Sequence, residues 1–240
     1  MKHLLLTASL AIGNSLFVHS QSISKQDDTT NIQMPKVYLQ YFANGTPFDR
    51  SVFRLANKPV DEDLMREAGR RVEEFQELWD KEGPDYFNTV FSEINLPFPY
   101  KEIHGAFTVS GVPSTNTPLI INVVPFLSLA KKPFPIAVFS EIVFHELLHV
   151  YLRGITDRST FRKKYMNESL TTRNHLHLMA LEKFVLLKLG KTDLLKWLDN
   201  DYRKGDLPPD YRKAWEIVND KEGYEVFIEE LKWLVSERKQ

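Results

Sequence analysis

Residues 136–152 read IAVFSEIVFHELLHVYL, and wound as a helix this stretch is apolar on nearly every side. Ile136, Val138, Phe139, Ile142, Val143, Phe144, Leu147, Leu148, Val150 and Leu152 leave almost no polar face, which predicts a helix buried all round. Pro133 and Pro135 precede it, and Gly154 suits its end. His145, Glu146 and His149 stand out as polar groups close together on it. Two imidazoles and a carboxylate inside such a helix are costly unless something partners them. His145 and His149 are four residues apart, about 40° around the helix, so both rings can reach one metal ion. Glu146 projects toward the same cavity. There it can take a proton from a metal-bound water and later deliver one to a leaving group. Glu141, one turn before His145, lies on the metal-facing side and either orients a ligand imidazole or pairs with a base.

Outward from this helix, composition narrows the choices. The 240 residues are 42% hydrophobic and contain no cysteine, so a metal site must be built from His and carboxylate. A formal net charge of -1 argues against a nucleic-acid partner, which usually requires a basic excess or stripe. Met1-Lys2-His3 followed by the apolar run Leu4 to Val18, with small residues before Gln21, has the layout of a secretory signal peptide over residues 1–20. The expectation is an exported protein, periplasmic or secreted. No later segment offers the run of about 20 apolar residues that a membrane span needs. Residues 21–35 are polar and aperiodic and read as a flexible lead-in. The rest, 36–240, reads as one domain.

Within that domain Val37 to Phe42 is rich in β-branched and aromatic residues and predicts a strand. Asp61 to Lys81 predicts a helix stopped by Gly83-Pro84, with a second short helix over 85–94. Lys101 to Val112 and Leu119 to Phe126 predict two strands joined by turn formers. A helix covers part of Asn167 to Leu189, and the remaining chain is helical with a break at Leu207-Pro208-Pro209. Strands and helices first, helices last, make an α+β fold: a small antiparallel or mixed sheet, then the buried metal-binding helix, then a mainly helical C-terminal part.

A catalytic zinc site usually has three protein ligands and one open position. A metzincin would carry Gly and His where this chain has Leu152 and Ile155, which excludes that class. Glu168 is the leading third ligand, since Asn167-Glu168 opens the next helix. His175 and Glu182 are alternatives: with Glu168 they recur every seven residues and would share one helix face. His177 then points elsewhere. Tyr202, Tyr211 and Tyr224 are chemically suited to stabilise an oxyanion, and nothing in the sequence selects among them.

His145-Glu146-Leu147-Leu148-His149 together with Asn167-Glu168 resembles the gluzincins, the thermolysin-like and zinc aminopeptidase families. The resemblance implies a zincin-like fold, Zn2+ held by His145, His149 and Glu168, and Glu146 activating the water for peptide hydrolysis. In zincin-like folds an edge strand holds extended substrate, here Leu119 to Phe126 or Lys101 to Val112. The expectation is therefore an exported zinc metallopeptidase acting on a peptide or protein, its oligomeric state open. Thr172 stands where thermolysin-like enzymes have Asp, and the aminopeptidase Gly-Ala-Met-Glu-Asn motif is absent. The alternative these departures leave is a secreted zincin-like binding or structural module without catalysis.

Overall fold

A computed structural model describes residues 34–41, 47–57 and 61–238. The expected signal peptide and nearly all of the expected lead-in lie outside them. Strand β1 (Lys36–Gln40) alternates exposed and buried positions, Val37 and Leu39 pointing inward with the two-residue period of a half-buried strand. Helices α1 (Pro47–Leu55), α2 (Glu62–Arg70) and α3 (Val72–Ile94) lead to β2 (Glu102–Thr108). A two-residue strand β3 (Thr115–Asn116) and β4 (Leu119–Asn122) complete a mixed sheet in the order β1-β2-β4-β3. β1, β2 and β4 run parallel, with Val37 opposite Ile103 and Phe107 opposite Ile121, and β3 is antiparallel to β4. The fold is α+β with a small mixed sheet and a mainly helical remainder.

This order corrects the expected substrate-binding strand. The stretches 101–112 and 119–126 supply β2 and β4, which are interior strands paired on both sides. The edge toward the central helix is β3, too short to leave a pattern in the sequence. At the opposite edge the Gln76 side chain covers β1, accepting from the Leu39 N–H at 2.7 Å and donating to the Val37 carbonyl at 2.9 Å.

The helix predicted to stop at Gly83-Pro84 runs through both residues. A proline inside a helix costs about 3 kcal/mol. Burial of Trp79, Tyr86, Phe87, Val90 and Phe91 on the same helix offsets it, at about 1.5–3 kcal/mol for each large apolar side chain. Gly83 is what lets Trp79 lie flat on its own helix, because a Cβ there would sit 2.6 Å from the indole ring. The break falls instead at Arg71, between α2 and α3.

The buried helix is α4 (Val138–Leu152), and Gly154 follows it at φ +73. Its apolar residues meet aromatic rings of α3: Phe139 stacks on Phe75 at 4.6 Å, and Phe144 lies 5.0 Å from Tyr86 and 5.3 Å from Phe87. The C-terminal part comprises α5 (Thr160–Lys164), α6 (Leu170–Lys188), α7 (Thr192–Lys204), α8 (Pro209–Glu216), a π-helical turn over Ile217–Glu222, and α9 (Tyr224–Arg238). Helix α6 packs against α3, α4, α7, α8 and α9, so its side chains are buried nearly all round. Among the described residues no helix is long and apolar enough to cross a membrane.

Candidate metal centre

Helix α4 presents His145 and His149 on one face, their ring centres 5.1 Å apart. Helix α6 crosses that face and brings His175 to both, at 5.4 Å from His145 and 4.7 Å from His149. Each of the three imidazoles offers a nitrogen, and these atoms all lie within 4.8 Å of one another.

Hydrogen bonds select which nitrogen each ring offers. His175 Nδ1 lies 2.7 Å from the Thr171 carbonyl, which can only accept, so Nδ1 carries the proton and Nε2 is a bare acceptor. That Nε2 is buried and has no hydrogen-bond partner among the described residues. His145 Nδ1 lies 2.5 Å from Glu182 Oε1, which leaves its Nε2 for the cluster. Burial and the neighbouring His145 push His149 down to about 2 and His175 down to about 4. Both rings are therefore neutral at physiological pH, the form a metal ligand requires.

Behind His145 stands a second layer. Glu182 also accepts from the Tyr202 hydroxyl at 3.1 Å and is hydrogen-bonded to Glu141. Burial holds both carboxyls above their usual range, and their mutual repulsion raises Glu141 further. Glu182 Oε1, held against His145 Nδ1, orients the His145 ring. Replacing Glu182 by Ala is expected to weaken metal binding about 10–100-fold, the usual cost of a lost partner to a ligand. Glu182→Gln, which keeps an acceptor, is expected to fall between, as measured by chelator competition.

Glu146 points into the same region, and burial raises its carboxyl above the ordinary range while the Asn116 side chain hydrogen-bonds it. Tyr211 on α8 lies with its ring 4.3 Å from His175 and 6.2 Å from His145, its phenol pushed up to about 12 by burial and the nearby Glu146. Of the three tyrosines considered, Tyr202 is committed to Glu182, and Lys183 Nζ sits 5.0 Å over the Tyr224 ring. Tyr211 is the one facing the cluster, which no local sequence pattern marks.

Glu168 is not brought to the cluster. Helix α6 starts at Leu170, with Ser169 as its cap accepting from the Thr172 N–H, so Glu168 precedes the helix. There it lies 3.7 Å from Lys213 Nζ, its side chain partly exposed. The seven-residue recurrence places residues on one face only where the helix covers them, and α6 covers His175 and Glu182 alone. His177 points away, as expected: its Nε2 lies 2.7 Å from Glu230 on α9, which also accepts from Ser159 Oγ and the Thr160 N–H at 2.6 Å each.

That clamp on α9 has an acid signature. Burial opposes ionisation of Glu230, yet the bonds from His177, Ser159 and Thr160 prevail and hold its carboxyl at about 2, against an ordinary 4.5. A depressed carboxyl stabilises the fold above its unfolded pKa, and that contribution fades as pH falls from about 4.5 to about 2. Glu230→Gln is expected to flatten the pH dependence of stability across that window, as followed by denaturant unfolding at successive pH values.

Two clefts meet at the histidines. One, of about 380 Å3, is largely apolar: Phe134, Ile142, Trp197, Leu207 and Tyr211 line it beside His145 and Glu146. The other, of about 350 Å3, is polar and opens on His149 and His175, with Asn116, Arg153 and Arg162 in its wall. No protein-family model, curated protein or solved structure matches the chain.

Proposed function

We propose that the protein is an exported zinc-dependent peptidase, periplasmic or secreted, in which His145, His149 and His175 hold the metal and Glu146 is the general base. The observation that carries this reading is the convergence of three imidazoles, one with an orphaned buried Nε2, beside a buried carboxyl group at the junction of two clefts. Three imidazoles with an open fourth position fit zinc. The ligand set is then three His rather than the two His and one Glu of the gluzincins. A helix bearing the HExxH sequence beneath a mixed sheet with an antiparallel edge strand supports a zincin-like fold.

When bound, zinc lowers the pKa of water in its open position and polarises a scissile carbonyl. Glu146 takes the proton from the attacking water and returns it to the leaving nitrogen. Its raised carboxyl suits both transfers, being a better base than a solvated Glu and readily reprotonated. Asn116 fixes its orientation. Tyr211 donates its phenolic O–H toward charge developing on the carbonyl oxygen. The short edge β3 offers backbone groups to an extended substrate. Glu182 holds the His145 ring.

The test is zinc per chain in purified protein, followed by hydrolysis of a fluorogenic peptide library before and after chelation. Near-stoichiometric zinc and cleavage that disappears with chelator and returns with zinc are expected. A chain that takes no zinc would overturn the proposal and leave a non-catalytic binding module.

A further inference from the structure

Arg153 continues the stripe of α4 that carries the metal-binding residues, four positions beyond His149 and eight beyond His145. Its guanidinium reaches into the polar cleft, where Nη2 donates to Thr117 Oγ1 at 2.6 Å and more weakly to Asn116 Oδ1 at 3.4 Å. Both acceptors are neutral. Among the described residues no carboxylate forms an ion pair with Arg153.

Arg162 adds a second cation to the same wall. It is spent on Thr156 and Asn174, with Asp157 at 3.4 Å. Among the described residues Asp157 is the only acid lining the cleft, and its side chain is 71% exposed. The cleft is thus rich in donors and net positive even before a divalent cation sits on His149 and His175. The remaining N–H groups of Arg153 form a planar fork that matches a carboxylate in two-point geometry.

We propose that this cleft takes a carboxylate of the peptide substrate on the His149 side of the scissile bond, with Arg153 as its anchor. The inference deepens the peptidase reading and rests on it. A cleft of about 350 Å3 has room for the end of a peptide, so the carboxylate is either the chain terminus or the side chain of an Asp or Glu placed there. Across the histidines, the apolar cleft takes a large apolar side chain of the same substrate.

The experiment measures equilibrium binding to the zinc-loaded Glu146→Gln protein, which leaves the ligand uncut. The probes are N-acetylated tripeptides to hexapeptides, each as free acid, as C-terminal amide, and as amide with Asp or Glu last. Free acids are expected to bind about 10–100-fold more tightly than plain amides, the range for a charge-assisted pair. Arg153→Ala should erase the difference, and Arg153→Lys should restore part of it, with zinc content unchanged in both. An acidic amide that binds like the free acid assigns the cleft to a side chain; one that binds like the plain amide assigns it to the chain terminus. Equal binding of free acid, plain amide and acidic amide, a preference that survives Arg153→Ala, or no binding of any would overturn the proposal. The peptidase reading is judged separately, by zinc content and by cleavage of amidated peptides. Should the chain take no zinc, the acid–amide comparison on metal-free protein still decides the role of Arg153.

Discussion

Glu146→Gln is expected to lower kcat by about 10²–10⁴-fold, the range that a positioned general base contributes. Gln has the size of Glu and can still pair with Asn116, but it cannot accept the proton of the attacking water. The His cluster is untouched, because Glu146 is adjacent to His145 in sequence yet no hydrogen bond joins Glu146 to any of the three imidazoles. Zinc per chain should therefore stay at the parent value while turnover of the best library peptide collapses. Activity within a few-fold of the parent would refute general-base catalysis by this residue. Loss of metal alongside activity would instead make Glu146 part of the binding site.

The second large effect concerns the ligand set. His175→Ala is expected to abolish stoichiometric zinc binding and, with it, all zinc-dependent cleavage, whereas Glu168→Ala should leave both at the parent level. The reasoning is geometric. His175 Nε2 is the buried orphan of the cluster, and two imidazoles alone leave a zinc ion short of its usual three protein ligands. Glu168 meets Lys213 near the surface, an exposed contact of the kind worth 0–1 kcal/mol at most, so its loss should also leave stability nearly unchanged. Metal analysis after gel filtration reads both variants. The opposite pattern, with zinc lost in Glu168→Ala and kept in His175→Ala, would require α6 to start earlier than it does.

What could be read from the residues, and what could not, follows from how local each signal is. The central helix declares itself within seventeen positions, since a stretch apolar on all sides has nowhere to go but the core. His145, Glu146 and His149 are tied by that same helix and need no knowledge of the rest of the chain. The third ligand depends on which residue begins α6. Asn167 and Ser169 are both good caps, and choosing Ser169 moves Glu168 off the helix and gives the inward face to His175. The pattern Ser169-x-x-Thr172 was the available hint. Tyr211 reaches the cluster only because α8 folds back over α6, a long-range contact with no periodicity to announce it. Pro84 misled for the complementary reason: a local rule was outweighed by packing of the aromatic face of α3.

The edges of the sheet carry a consequence for how such a molecule lives among copies of itself. Strands recruit strands, and an open row of N–H and C=O groups is an invitation to polymerise. Here the Gln76 amide already occupies the outward groups of Val37 and Leu39, and at the other border β3 extends for two residues. Among the described residues neither border offers a neighbouring chain a ledge long enough to template growth. On the proposed peptidase reading, which requires binding extended segments, such blunted edges also limit co-assembly with the substrate.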